Sequence, residues 1–442
     1  MDAFVEPFTP PAPKPRTKPP GRLEAIRIVH RNPIELWGEL VYTKPWIFAS
    51  LFNERMLLAN EPGLIKHVLV DNASNYEMGK IRQLVLRPIL RDGLLTAEGD
   101  VWKRSRKAVA PVFTPRHAQG FAQQMLKRTE TFSSRFSGNG DVHEMAQEMT
   151  ELTYQILAVT LFSDQISAST EDFGHRVERL LETMGRVDPF DLLKAPQWLP
   201  RLSRIRGHRV LGYFRKIVSD TVQQRIDLMA GDPQGVPEDF LTLLLRQQKP
   251  GGLTRGEVED NIITFIGAGH ETTARALGWT LYCLANAPQE RERVEMEIDL
   301  MPYTRAAFEE AMRLYPPAPS ISRAAIKDDQ WGDAKISAGT TVLVMPWTLH
   351  RHKLLWQQPD AFMPARFLPA NRGTIGRFQY LPFGGGPRVC IGATFALQEA
   401  VIALGVLMRR FRFDCTQDTN PWPVQKLTLQ PDGGLPMRVT AR

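Results

Sequence analysis

The sequence predicts a mainly α-helical chain with a minor β region, and three observations predict it. Between about residues 100 and 300 the apolar positions follow a helical period. No strand–helix alternation or internal repeat appears there, which argues against a doubly wound sheet. One stretch, Leu253–Pro288, carries start and stop signals for a single helix of about thirty residues. Strand character is confined to a few short runs toward the two ends of the chain.

The chain opens with seven prolines in its first twenty residues, two acids and no apolar segment. That composition predicts a mobile extended arm over 1–20, and neither a signal peptide nor a membrane anchor. Residues 21–442, with no long linker, are expected to form a single large domain. "PWIFASLF" and "RMLLA" read as two short strands joined at Asn53-Glu54, and "EPGLIKHVLVDN" as a helix with Pro62 in its first turn. Strands return in "GTTVLVMPW" and "VQKLTLQ", while "ATFALQEAVIALGVLMRRF" reads as a strongly apolar helix.

Composition narrows the function classes. A hydrophobic content of 43% supports a large core. The net charge of +7 is modest for 442 residues and suits an acidic protein partner better than nucleic acid, since no basic run is interleaved with aromatics. The cysteines Cys283, Cys390 and Cys415 are too few and too widely spaced for a disulfide framework or a four-ligand zinc site. These features predict a soluble, cytoplasmic protein.

Within the long helix, Thr254 and Glu257 have capping-box spacing, and Asn286 and Pro288 mark the far end. Its middle holds Gly267 and Gly269, each costing roughly 1 kcal/mol against alanine in a helix interior. Thr272 and Thr273 follow them. A core helix bent for packing accounts for these residues; so does a helix that passes close to a ligand. Two other motifs fail. "GAGHET" lacks the third glycine of a dinucleotide fingerprint and no strand precedes it, and "HETTA" has Ala274 where a zinc helix has its second histidine.

"FGGGPRVCIG" sets Cys390 ahead of a helix, where the dipole and free N–H groups favour a thiolate, with Arg388 two residues away. An inert buried cysteine explains the thiol but not the run from Gly384 to Arg388. A haem iron needs a single such ligand. The segment resembles the haem-binding signature of the cytochrome P-450 family, the haem-thiolate monooxygenases, at Phe383, Gly386, Arg388, Cys390 and Gly392.

The resemblance extends over roughly residues 35 to 440. It implies the family's fold, with haem b between the long central helix and the helix after the cysteine loop. It also implies roles for named residues. Cys390 is the axial ligand, Phe383 packs beside it, and Arg388, Trp102, Arg106 and Arg323 meet the haem propionates. Glu310 and Arg313 of "EEAMR" pair with Arg366 as a buried scaffold. Ala268 lies against the haem, and Glu271 and Thr272 of "AGHETT" form an acid–alcohol pair for oxygen activation. Substrate contacts are expected from the loop Asn75–Thr96, chiefly Leu84, Val85, Leu94 and Leu95, and from Ala268, Thr272, Ala318 and Ile321. The motifs look most like the fatty-acid hydroxylase branch, although "PWIFASLF" has no basic residue to anchor a carboxylate. The chain departs from the family pattern at the short junction Glu297–Tyr303.

The expected activity is insertion of one oxygen atom from O2 into a lipophilic small molecule. Only about fifty residues follow Cys390, so electrons are expected from a separate ferredoxin or flavodoxin with its reductase. Lys103, Arg104, Arg106 and Lys107 are a candidate docking patch for it. A peroxide-using haem oxygenase and a non-catalytic haem sensor or carrier are the alternatives. His350 and His352 also raise a metal site, with the cofactor already accounted for.

Overall fold

The computed structural model describes residues 6–51, 54–166, 202–297 and 301–442. The expected turn residue Asn53 and residues 298–300 of the short junction lie outside them. Helices dominate the described chain as expected, and strands form small separate sheets.

The central helix, Arg255–Ala285, is continuous. Its expected capping box is formed: Thr254 accepts from the Glu257 N–H, and the Glu257 carboxylate reaches back to the Thr254 N–H. At 31 residues it spans roughly 46 Å. Apolar side chains surround nearly all of it, from Val258 to Leu284. It packs against the helices Met145–Phe162, Pro302–Leu314 and Ala393–Arg410. A single hydrophobic cluster built on these helices reaches from Ile34 to Val439.

The main sheet has five strands, in the spatial order Trp46–Leu51, Glu54–Ala59, Thr341–Val344, Ile321–Ala325, Tyr76–Met78. Glu54–Ala59 and Thr341–Val344 are parallel and the other pairs antiparallel. Leu57, Val342 and Val344 are buried in a second apolar cluster that includes Leu69 and Leu381. The sheet thus sits beside the segment leading into Cys390. "VQKLTLQ" is not one strand. It contains the turn of a hairpin, Trp422–Gln425 with Leu429–Asp432, because Gln425 pairs with Leu429. A third sheet contains Asn139–Glu144, a strand inside the region read as helical.

The proline-rich segment from residue 6, expected as a mobile extended arm, is fastened to the rest of the chain. Phe8 accepts a hydrogen bond from the Phe362 N–H at 2.8 Å and meets Tyr282 edge to face. Tyr315 donates to the Pro11 carbonyl at 2.8 Å, and Arg16 bridges to Gly38. Proline leaves few backbone donors, so the neighbours supply them. At the junction after the central helix, Glu297 caps the helix Pro302–Leu314 through the Thr304 N–H and hydroxyl, at 2.7 and 2.8 Å.

Candidate active site

Two left-handed glycines shape the cysteine loop, Gly384 at φ +72° and Gly386 at φ +71°. At Gly386 a Cβ would lie 1.8 Å from the Leu69 carbonyl oxygen, so only glycine fits. The Cys390 N–H closes the loop on the Phe383 carbonyl at 2.9 Å. Burial raises the thiol pKa, while the Gly392 N–H and the Arg106 charge lower it. Cys390 is nevertheless accessible to solvent. Accessible yet desolvated is what the wall of an internal cavity produces.

Around this loop the cations outnumber the acids. Arg388 donates to the Ala97 carbonyl at 2.9 Å and pairs with Glu98, and its guanidinium lies 4.6 Å from the centre of the Trp102 ring. Trp102 and Arg106 share one face of the helix Gly99–Val109. Burial pushes Arg323 down to about 10, and repulsion from Arg82 and Arg388 adds to it. Burial and Arg388 likewise lower Arg82. Arg82 was missed in the sequence because it sits in a segment read only for apolar contacts. Arg323 and Arg388 interact with one carboxylate, Glu98, and Arg82 lies beside both arginines, so three guanidiniums set against one acid leave two positive charges in excess. These residues fit a haem: one sulfur for the iron and surplus cations for two propionates.

On the central helix Ala268 is exposed although Ile266 and His270 are buried, so this turn borders open space inside the molecule. The Thr272 hydroxyl donates to the Ala268 carbonyl at 2.7 Å, and Thr273 to that of Gly269 at 3.2 Å. Glu271 is directed differently, since consecutive helical residues point about 100° apart. It is 5% exposed, and its Oε1 accepts from Thr428 at 2.7 Å and Gln430 at 2.8 Å. The Glu271 carboxylate therefore rests against the hairpin and not in solvent.

The scaffold residues come together. Glu310 and Arg313 are fully buried and bonded twice, at 2.7 and 2.8 Å. Arg366 adds a contact to Glu310 at 3.3 Å. Arg313 also donates to the carbonyls of His350, Pro359 and Ala361, so the buried charges are satisfied. His350 belongs to this network. Its Nδ1 meets the Arg313 carbonyl at 3.2 Å and its Nε2 accepts from the Leu381 N–H at 2.8 Å. Burial holds its pKa well below the usual value. It ties the scaffold helix to the segment leading into the cysteine loop.

The region named as the loop Asn75–Thr96 contains the strand Tyr76–Met78 and the helix Lys80–Leu90. Leu84, Val85 and Leu95 are half-buried there, whereas Leu94 is buried in the main cluster. Ala318 is half-buried; Ile321 is buried in the second cluster, near Gly384. A cleft of about 330 Å³ lined by Trp46, Glu61, Trp331, Gly332 and Asp333 contains none of the expected site residues.

A family model described as "Cytochrome P450" matches residues 45–436. The chain is 29% identical to cyclooctatin synthase from Streptomyces melanosporofaciens, covering 91% of each chain. It is also 29% identical to the chloroplastic protein LUTEIN DEFICIENT 5 of Arabidopsis thaliana, covering 91% of this chain and 73% of that one. The crystal structure of CYP175A1 from Thermus thermophilus superposes with a TM-score of 0.73 at 29% identity, over 90% of this chain and 92% of that chain.

Proposed function

The chain belongs to the cytochrome P450 family and is a haem b-dependent monooxygenase, and from that premise we propose how its residues divide the work. Bound here, the haem supplies binding and activation of O2, with a thiolate ligand favouring O–O cleavage. Cys390 is that ligand; the Gly392 N–H and Arg106 favour its charged form. Arg82, Arg106, Arg323 and Arg388, with Trp102 beneath Arg388, hold the propionates. Thr272 holds a hydrogen-bonding hydroxyl at the cavity, and Glu271 delivers protons toward it. The substrate is a lipophilic small molecule met by Ala268, Leu84, Val85 and Ala318. Electrons come from a separate ferredoxin or flavodoxin. The observation that carries this reading is Cys390, accessible yet desolvated, beside cations that outnumber the acids.

A panel of terpenes and fatty acids screened by the haem spin-state shift selects a probe substrate. NADPH oxidation is then followed with a supplied ferredoxin and its reductase. We expect oxidised probe that depends on O2 and on the redox proteins. Product formed only with added hydrogen peroxide supports the peroxide-using alternative; a spin-state shift with no product under either condition supports a carrier.

A further inference from the structure

Glu271 is fixed from outside its own helix. Thr428 and Gln430 both donate to Oε1, and on the helix Arg275 lies 3.9 Å away. Oε2 is buried and has no hydrogen-bond partner among the described residues. The two donors flank Leu429: Thr428 ends the hairpin turn and Gln430 lies on the strand Leu429–Asp432. Leu429 between them is 0% exposed and packs in the main hydrophobic cluster. Its backbone is pinned on both sides: its N–H donates to the Pro317 carbonyl at 3.1 Å, and Trp279 of the central helix donates to its carbonyl at 3.4 Å. The donors are therefore held relative to the central helix and to Pro317, the residue before Ala318.

We infer that Thr428 and Gln430 are positioning residues for proton delivery: by holding Oε1 of Glu271 they leave Oε2 as the oxygen that takes up and hands on the proton. A buried carboxylate oxygen without a donor costs roughly 1–3 kcal/mol, so Oε2 is the oxygen left open to a new hydrogen-bond partner. Two donors on one oxygen also give the side chain a defined resting place. The inference rests on Glu271 serving as the proton-delivering acid.

The test uses the haem-loaded protein with the Thr428→Val and Gln430→Leu changes combined, and with Thr428→Ser alone. Crystal structures read the Glu271 carboxylate position without reference to turnover. Product per NADPH is read with the probe chosen by the spin-state screen, and the spin-state shift and thermal midpoint are recorded alongside. In the double variant we expect the carboxylate to leave the hairpin and product formation to slow by about 10-fold, part of the roughly 10²–10⁴-fold that a positioned acid supplies. Thr428→Ser retains a donor and is expected to retain both the position and the coupling. A carboxylate that stays in place, or that moves with coupling unchanged, overturns the inference. Glu271→Gln tests the underlying reading separately: wild-type coupling in that variant overturns proton delivery by Glu271 itself.

Discussion

At the scale of single residues, Cys390 and Glu399 make contrasting predictions. If Cys390 is the iron ligand, the ferrous carbonyl complex shows the strongly red-shifted Soret band of thiolate ligation. Cys390→Ser is expected to lose that band, while Cys283→Ser and Cys415→Ser keep it, and absorption spectra decide. Glu399 drew no attention in the sequence because one acid in "ATFALQEAV" looks like a solvated helix position. In the fold it is 2% exposed, and burial drives its pKa well above the carboxylate range. A hydrogen bond from the Thr273 hydroxyl lowers it, and burial outweighs that bond. An acid with a raised native pKa keeps its proton folded and loses it unfolded. Its effect is absent below the ordinary carboxylate range. Stability is then lost as pH rises from that range toward the native pKa, at about 1.4 kcal/mol per pH unit. Urea midpoints measured between about pH 5 and 8 are expected to fall for wild type relative to Glu399→Gln. Thr272→Ala is expected to bind haem and substrate normally but to release hydrogen peroxide in place of product. Coupling equal to wild type, with lowered thermal stability, would reduce Thr272 to a backbone partner of Ala268.

At the scale of elements, local signals were legible where the chemistry is local. The Thr254–Glu257 box and the Asn286 cap set the central helix from within a few residues of sequence, and both appear as expected. The hairpin from Trp422 to Asp432 was not legible, because its turn, Lys426–Thr428, contains no glycine or asparagine to mark it. The cysteine loop yields the sharpest element-level prediction. Gly386→Ala forces a side chain against Leu69 at a left-handed φ, which combines a steric clash with about 1–3 kcal/mol of backbone strain. Purified Gly386→Ala protein is expected to carry little haem. Gly376→Ala meets only ordinary contacts near Gln379 and is expected to load fully. Equal haem content in the two would contradict this account of the loop.

At the scale of the whole molecule, the proposed electron donor approaches a surface smaller than its sequence suggests. Of the four cations on the helix Gly99–Val109, Arg104 is paired with Glu257, and Arg106 interacts with Cys390. Lys103 and Lys107 remain exposed, Lys103 with only an exposed Asp100 as partner. Docking through them predicts that electron transfer slows as salt rises, since the Debye length is about 8 Å at physiological ionic strength. Stopped-flow reduction by an acidic ferredoxin is expected to slow further with Lys103→Glu and Lys107→Glu together. Rates indifferent to both salt and these substitutions would move the docking surface elsewhere. No described helix is long and apolar enough to cross a membrane.

The sequence by itself determined the family, the cysteine loop, the central helix and the Glu310–Arg313 pair. Each is written within a few neighbouring residues, where helix period, capping and glycine placement act. The tertiary structure alone decided the partners: Arg82 beside Arg323 and Arg388, His350 beneath the cysteine loop, and Thr428 with Gln430 on Glu271. Thr428 and Glu271 meet across 157 positions of sequence. The energy that selects such contacts, desolvation of charge and satisfaction of buried donors, exists only once the core has closed around them.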